Sequence, residues 1–254
     1  MDDESMDARM AGGANGINDT TDTDDTAARK RSLRKEALAR RRQIGEAERI
    51  EAGRRLAVAG RRIAELMRSD GEIPPSRVPA TNGSGDDTTG SRTETGGSGT
   101  ENGTTHPTVA AYVSMGTEVP MDDLLDELVR SGSRVLVPVL GSGLDLGWAE
   151  FTGGDDLHDA GPRRPKEPSG PVLPAETIAD AGLIITAGIM VDRSGLRLGR
   201  GGGWYDRMLA MKSPTARVIT VVWPWEVVDG PLPHEPWDRP VDGVLTPDGL
   251  TMFE

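Results

Sequence analysis

Cysteine is absent from the chain, which excludes disulfides, zinc–thiolate sites and cysteine nucleophiles. Only three histidines occur, and the HExxH pattern is missing, so we expect no histidine-built metal site. No apolar run approaches the length of about 20 residues that a membrane-spanning helix needs. The acidic start Asp2-Asp3-Glu4 has the wrong charge for a secretory signal. These absences predict a soluble cytoplasmic protein.

Two acidic segments stand out in the chain. The 254-residue chain has a formal net charge of −12, of which residues 1–28 carry −7 and residues 71–108 carry −3. Within 81–105, 20 of the 25 residues are Gly, Ser, Thr or Asn, and none is apolar. Such a composition buries too little surface to offset the entropy lost on ordering. We predict a disordered tail at 1–28 and a single domain at 29–254. A disordered insertion at 71–108 interrupts that domain, with a functional lid as the alternative.

Hydrophobic periodicity predicts an α/β fold. Apolar residues at three- and four-residue steps predict helix over 29–69, interrupted at Gly45. Downstream, short apolar runs alternate with helical patterns, which indicates a three-layer α/β/α architecture with a mostly parallel, Rossmann-like open sheet and N-terminal helices. The predicted strands are Val109–Ser114, Arg134–Leu140, Trp148–Thr152, Leu183–Ala187, Val218–Trp223 and, as the last, Gly243–Thr246; the predicted helices are Met121–Ser131, Thr177–Ala181 and Trp204–Met211.

A glycine-rich segment, 195–206, lies between a predicted buried strand and a predicted helix. Four glycines within 199–203 free the backbone to turn several N–H groups toward one point, and the following helix adds partial positive charge there. Arg197 and Arg200 supply forked donors suited to phosphate oxygens. The segment is neither a Walker A loop nor a G-x-G-x-x-G dinucleotide motif. Phosphate binding is the favoured interpretation, and a plain flexible loop is the alternative.

Three acidic residues are candidates for the same chemistry. Asp206 closes the glycine-rich segment, where it can bind Mg²⁺ or only complement the helix dipole. Asp242 precedes the last predicted strand and, taken alone, is typical of a turn residue. Glu118 follows a predicted strand, at the edge where open α/β sheets bind ligands, although an isolated acid there is more often a loop residue.

The stretch 28–42 is strongly basic. A nucleic-acid interface is one interpretation, but the stretch contains no aromatic residue for base stacking and adjoins an acidic segment. A solvated helix face is the simpler interpretation. Lys30 and Arg34, one turn apart, would project from the same face.

Several of these segments together resemble the 5-formyltetrahydrofolate cyclo-ligase family, also called methenyltetrahydrofolate synthetases. Residues 192–207, DRSGLRLGRGGGWYDR, are similar to the family signature FDxxGxRLGxGxGYYD. Where some relatives have lysine, this chain has Gly202, so Arg200, Lys30 or Mg²⁺ would supply that charge. The other matching segments, in the family's order, are Lys30–Arg34, Tyr112–Glu118, Arg134–Val139, Lys166–Pro168 and Trp237–Thr246.

The resemblance implies a role for each matching residue. Arg200, Arg197 and Lys30 would be catalytic, and Asp206 and Asp242 would hold Mg²⁺. The folate would contact Val113, Glu118, Arg200, Gly201, Gly202, Gly203 and Trp204. ATP would contact Lys30, Arg31, Ser32, Leu33, Arg34, Arg197, Leu198, Gly199, Arg200, Gly201, Gly202, Gly203, Trp204 and Tyr205.

The reaction implied by the resemblance is ATP- and Mg²⁺-dependent conversion of 5-formyltetrahydrofolate to 5,10-methenyltetrahydrofolate, with release of ADP and phosphate. The expected protein is a monomer that binds neither nucleic acid nor membrane. Two alternatives stay open at this point. One is an α/β enzyme that uses the glycine-rich segment to bind a phosphorylated sugar or a coenzyme A ester. The other is a catalytically inactive relative that binds a nucleotide or RNA.

Overall fold

The computed structural model describes residues 18–69, 107–141, 145–162 and 164–253. Residues 1–17 of the predicted tail and 71–106 of the predicted insertion lie outside this part, so the prediction of disorder is untested there. Within the described residues, no helix combines the length and the apolar character needed to cross a bilayer. The cytoplasmic location remains a prediction.

Four α-helices and twelve strands are described. The helices are α1 (Asn18–Arg41), α2 (Glu46–Ser69), α3 (Asp122–Arg130) and α4 (Trp204–Leu209). The strands are β1 (Thr108–Ala110), β2 (Arg134–Leu140), β3 (Leu146–Phe151), β4 (Leu157–His158), β5 (Glu167–Pro168), β6 (Leu183–Ala187), β7 (Met190–Asp192), β8 (Arg197–Leu198), β9 (Arg217–Val221), β10 (Val227–Val228), β11 (Gly243–Thr246) and β12 (Gly249–Met252). Three short 3₁₀ helices cover Gly154–Asp156, Ala175–Asp180 and Pro224–Glu226.

Helix α1 begins at Asn18, which corrects the predicted start at residue 29 and the prediction of a disordered tail over 18–28. This segment is polar and would not start a helix by itself. A helix that is already formed further along the chain can extend into it, because each added residue loses conformational entropy but gains a backbone hydrogen bond. The predicted interruption at Gly45 is confirmed, because α2 starts at Glu46.

Seven strands form the central sheet, in the order β12-β11-β9-β6-β1-β2-β3. The five inner strands run parallel, and β3 and β12 pair antiparallel at the two edges. The mostly parallel sheet is therefore confirmed. Several details differ from the prediction: β3 spans Leu146–Phe151, β9 spans Arg217–Val221, β11 is followed by the edge strand β12, and β1 already begins at Thr108, which the predicted insertion included.

Each face of the sheet is covered by its own hydrophobic core. On one face α2 and α3 pack over β1, β2, β6 and β9, with Leu56 and Leu124 fully buried. A Cβ added at Gly60 would lie 2.5 Å from the Leu124 side chain, so α2 approaches α3 as closely as glycine allows. The other face is covered by α4, the 3₁₀ helix Ala175–Asp180 and a small sheet of β10, β7 and β8. The three layers are those predicted, although the second helical layer is thin.

Candidate active site

The strand order places one cavity at the centre of the sheet. From β1 the chain moves outward through β2 to β3, and then returns to the other side of β1 as β6. Open α/β sheets bind ligands where the strand order reverses in this way, outside the carboxyl ends of the strands. A cavity of about 730 Å³ lies at this point, lined by Tyr112 and Val113 after β1 and by Gly188 after β6. The predicted strand over 109–114 is shorter than expected because the chain leaves the sheet after Ala110 to line this cavity.

The glycine-rich segment forms one wall of the cavity. Strand β8 brings the chain in, and residues 199–203 connect it to α4. Gly201 and Gly203 have φ values of +95° and +61°, a region that side chains rarely adopt, so glycine is required by the backbone at both positions. A Cβ at Gly202 would lie 2.7 Å from Cδ1 of Trp204. The tryptophan ring therefore occupies the space next to position 202 that the lysine of some relatives would need.

Asp192 fixes the entrance to this segment. Its Oδ1 accepts hydrogen bonds from Ser194 N, Ser194 Oγ and Leu196 N at 2.9, 2.6 and 3.0 Å, and its Oδ2 accepts one from Leu232 N at 2.8 Å. Burial would raise the pKa of Asp192, but these four hydrogen bonds outweigh burial and hold the pKa below its ordinary value. The carboxylate thus ties the glycine-rich segment to the chain around residue 232.

Arg197 is enclosed beneath the glycine-rich segment. Its Nη2 lies 3.3 Å from Asp206 Oδ1, its Nη1 donates to Ala187 O at 3.3 Å, and its guanidinium lies 5.0 Å from the centre of the Tyr205 ring. Burial raises the pKa of Tyr205 to about 12, so its hydroxyl stays protonated at neutral pH. With a side chain only 4% exposed, Arg197 is a fixed positive charge at the cavity floor.

Arg200 reaches across the cavity to Glu118. Its Nε and Nη2 lie 3.0 and 2.9 Å from Glu118 Oε1, while Glu118 Oε2 accepts the backbone N–H of Met115 at 2.9 Å. The two partners differ in exposure: the Glu118 side chain is 7% exposed and that of Arg200 is 48% exposed. Nearby, burial and then the Glu118 charge raise the pKa of Tyr112 well above its ordinary value.

Helix α1 supplies the third group of cations. Lys30 is buried and forms ion pairs with Glu235 and, at 2.6 Å, with Asp238. One turn later Arg34 donates from Nε to Gly199 O at 2.8 Å, and burial lowers its pKa. Arg41 continues the same inward face and is 1% exposed. The basic stretch is therefore not simply a solvated face, since three of its cations point into the protein.

Most of the residues predicted by resemblance meet in this cavity, and three do not. Ser32 and Leu33 do not line it, because on the helix they lie on a different side from Lys30, Arg31 and Arg34. Asp242 lies at the amino end of β11, opposite the cavity, where its Oδ2 accepts the N–H of Val218 at 2.6 Å. The structure does not bring Asp242 to Asp206. The predicted residues that line the cavity are Lys30, Arg31, Arg34, Val113, Glu118, Arg197, Leu198, Gly199, Arg200, Gly201, Gly202, Gly203, Trp204, Tyr205 and Asp206.

Among the cavity residues that the sequence analysis did not assign to the site are Tyr112, Glu235, Trp237 and Asp238. The last three lie in or next to a segment that was recognised, but its acidic residues are close together in sequence and spacing did not show which of them faces the ligand. Among the described residues, no group of three or more His, Asp or Glu side chains is arranged to hold a metal ion alone. A Mg²⁺ site here would therefore need oxygen ligands from a bound nucleotide, as is usual for this ion.

Comparison with known proteins places the chain in one family. The sequence model of the 5-formyltetrahydrofolate cyclo-ligase family matches residues 100–247. A 5-formyltetrahydrofolate cyclo-ligase of Mycolicibacterium smegmatis is 45% identical over 145 residues, which cover 55% of this chain and 73% of that protein. The enzyme of the same name from Escherichia coli K12 is 32% identical over 143 residues, covering 55% of this chain and 78% of its own length.

Two solved structures share the fold. The 5,10-methenyltetrahydrofolate synthetase of Aquifex aeolicus superposes with a TM-score of 0.58 at 23% identity, covering 89% of this chain and 93% of its own. The synthetase of Mycoplasma pneumoniae gives a TM-score of 0.54 at 15% identity, covering 86% and 98%. The family match extends over more than half of the chain and includes the glycine-rich wall of the cavity. The chain therefore belongs to the 5-formyltetrahydrofolate cyclo-ligase family of enzymes.

Proposed function

We propose that this enzyme converts 5-formyltetrahydrofolate to 5,10-methenyltetrahydrofolate, with hydrolysis of ATP to ADP and phosphate. The observation that carries the proposal is the convergence of Lys30, Arg197 and Arg200, from three separate parts of the chain, on one cavity. Its volume, about 730 Å³, is within the range of small-molecule sites. The folate substrate is taken from the names of the relatives. The use of ATP, the Mg²⁺ ion and the mechanism belong to the proposal.

The reaction requires an activated formyl group, because an amide carbonyl is a weak electrophile and its oxygen leaves poorly. Transfer of the γ-phosphoryl group from ATP to the formyl oxygen breaks the bond to ADP and forms an O–P bond. N10 of the same folate then attacks the formyl carbon, the C–O bond breaks, and phosphate leaves as the five-membered ring closes. The proton of N10 is lost to solvent. No protein nucleophile is needed.

The protein contributes position and charge. In phosphoryl transfer, most of the rate enhancement comes from holding the reactants in line and from stabilising charge on the transferring group. Arg197 is already fixed at the cavity floor by Asp206 and Ala187 O. The N–H groups of the glycine-rich segment lie on the same wall. We assign this wall to the phosphates and the transferring group.

Arg200 is assigned a movable role. In the structure it neutralises Glu118, which is the residue that the resemblance assigns to the folate. A folate N–H donor that takes the Glu118 carboxylate would release the Arg200 guanidinium toward the phosphoryl group. The Arg200 side chain is half exposed, which leaves space for that movement.

The carboxylates at the Lys30 end of the cavity fit a cation. Glu235 and Asp238 both contact the Lys30 ammonium, so the pair already accommodates a positive charge, and Asp206 lines the same cavity. We propose that Asp206 and Asp238 would hold Mg²⁺, with the remaining oxygen ligands supplied by the nucleotide. When bound, the ion would neutralise charge on the phosphates. The placement of Asp242 away from the cavity favours Asp238 as the second aspartate of the site.

An absorbance assay tests the proposal. Purified protein, ATP, Mg²⁺ and 5-formyltetrahydrofolate should give ATP-dependent growth of the near-ultraviolet band of the methenyl product, and omission of ATP should abolish it. Arg200→Ala should lower kcat by about 10²- to 10³-fold, the usual effect of removing one preorganised donor. Arg193→Ala is the matched control, because Arg193 also contacts a carboxylate, Asp229, at 3.0 Å but does not line the cavity. A flat trace from folded protein that binds ATP would overturn the proposal.

A further inference from the structure

Trp237 is exposed at the edge of the cavity. It is 62% exposed, and it is the one residue among the five large exposed hydrophobic residues of the described chain that lines the cavity. The other four, Ile50, Val58, Val172 and Met252, lie elsewhere on the surface. An indole ring left in water at the mouth of a ligand cavity offers a large flat apolar surface to a bound molecule.

A tight turn holds Trp237 in place. Asp238 N donates to Glu235 O at 3.0 Å, and Glu235 N donates to Asp238 Oδ2 at 2.9 Å, so the turn is closed by two hydrogen bonds. Pro236 occupies the second position of the turn, where its fixed φ is favoured. The two carboxylates at the ends of the turn contact Lys30 of α1. The backbone that presents the ring is therefore anchored to the helix that supplies a phosphate-binding cation.

The surroundings of Trp237 belong to the nucleotide side of the cavity. Lys30 lies at the base of the turn, and Ala27 and Arg31, from the neighbouring turns of α1, also line the cavity. Glu118, assigned to the folate, contacts Arg200 of the glycine-rich segment and not the Glu235–Asp238 turn. A group that stacks on Trp237 while its phosphates reach Lys30 has the chemistry of a nucleoside triphosphate.

We propose that Trp237 is the stacking platform for the nucleobase of ATP, an inference that rests on the proposed function. Every base has a π-face, so stacking on an indole ring contributes affinity without reading the identity of the base. The site should accordingly bind GTP through the same contact, and selectivity for adenine, where it exists, has to come from other groups. Trp237 is a binding residue in this scheme and takes no part in phosphoryl transfer.

The test compares Trp237→Ala, Trp237→Phe and the surface control Val172→Ala, which removes a side chain with the same 62% exposure outside the cavity. Trp237→Ala should raise the dissociation constant of ATP about fivefold or more, the lower end of the measured range for one stacked base. Trp237→Phe keeps an aromatic face and should stay within about threefold of the parent protein. The inhibition constant of inorganic tripolyphosphate and the KM for 5-formyltetrahydrofolate should not change, because neither ligand contacts the ring.

Three results would overturn the inference. An unchanged ATP affinity in Trp237→Ala would remove the ring from the nucleotide site. An equal loss for ATP and tripolyphosphate would mean that the substitution disturbs the Glu235–Asp238 turn instead of a base contact. A rise in the KM for 5-formyltetrahydrofolate with unchanged ATP affinity would assign the ring to the folate. Failure of the parent protein itself to bind ATP would overturn the proposed function as well as this inference. In the other three outcomes the parent protein still binds ATP, so the proposed function would stand.

Discussion

Removal of Arg41 should destabilise this protein more than removal of any surface arginine. Its Nε and Nη2 donate to Glu226 at 2.6 and 2.7 Å, and Nη2 also donates to Gly188 O at 2.6 Å. The Arg41 side chain is 1% exposed and that of Glu226 is 0% exposed. Through these bonds Arg41 connects α1 to the loop after β6 that lines the cavity. Arg41→Met keeps much of the side-chain volume but leaves the Glu226 carboxylate buried without its counter-ion.

The expected loss in the free energy of unfolding is about 3–5 kcal/mol, because an unpaired charge remains in the core. The matched control is Arg55→Met. Arg55 lies 2.7 Å from Asp248, nearly the same separation, but the two side chains are 50% and 59% exposed, so the loss should be at most about 1 kcal/mol. The difference between the two variants isolates the effect of burial from the effect of ion pairing itself.

The double variant Arg41→Met/Glu226→Leu gives a further check. Replacing both partners of a buried pair with apolar residues removes the unpaired charge, so the double variant should be more stable than Arg41→Met alone. Urea unfolding followed by circular dichroism, with m-values compared, measures the parent protein, Arg41→Met, Glu226→Leu, the double variant and Arg55→Met. A loss below about 1 kcal/mol for Arg41→Met, or a double variant as unstable as the sum of the singles, would refute the reasoning.

The destabilisation should also depend on pH. Burial raises the pKa of Glu226, and Arg41 opposes that rise. Without Arg41 the pKa of Glu226 in the folded protein should rise further above its unfolded value, so folding takes up a proton in the window between the two pKa values. In that window the free energy of unfolding of Arg41→Met falls as pH rises. The variant should therefore be closer to the parent protein at pH 5 than at pH 8.

Three further predictions concern the site and the insertion. Asp192→Asn should lower the free energy of unfolding at pH 7 by about 1–3 kcal/mol, because an amide cannot accept all four hydrogen bonds. Since the pKa of Asp192 is held below its ordinary value, this contribution is lost as pH falls through the folded-state pKa, so urea midpoints of variant and parent should converge in acid. Asp238→Asn should raise the Mg²⁺ concentration needed for half-maximal turnover while Asp242→Asn leaves it unchanged; equal titrations for both variants would count against the proposed ligands. Deletion of 81–105 should leave turnover within about twofold, and a large loss would identify the segment as a lid.

The regular elements of this fold could be predicted because their residues carry local patterns. Residues 134–140 and 183–187 are continuous apolar runs, and both strands begin and end where predicted. The start of α1 could not be predicted in the same way. Its first turns are polar, and they are helical as an extension of a segment whose docking depends on Lys30 and Arg41, contacts that join residues far apart in the chain.

In the candidate site, too, some residues could be predicted from a local pattern and others depend on contacts between distant parts of the chain. The glycine-rich wall was recognised from the local sequence, since consecutive glycines with interleaved arginines are typical of a phosphate-binding segment. Spacing could not show that Asp238 lines the cavity while Asp242 does not, because this depends on which end of β11 faces the cavity. The partners of Lys30, Glu235 and Asp238, lie more than two hundred residues away in the chain, so no local pattern could have paired them.

Lys30, Arg197 and Arg200 each meet a carboxylate inside the cavity. A ligand that binds these three cations therefore has to replace their carboxylate partners. It does not enter a cavity of uncompensated positive charge. A simple dianion such as sulfate would have to separate an existing pair and would leave an acid without compensation. A magnesium-bound nucleotide brings an anion for the cations and a cation for the acids, so every charge finds a new partner. Under the proposed function the cavity would discriminate by charge balance, and free phosphate should be a poor inhibitor.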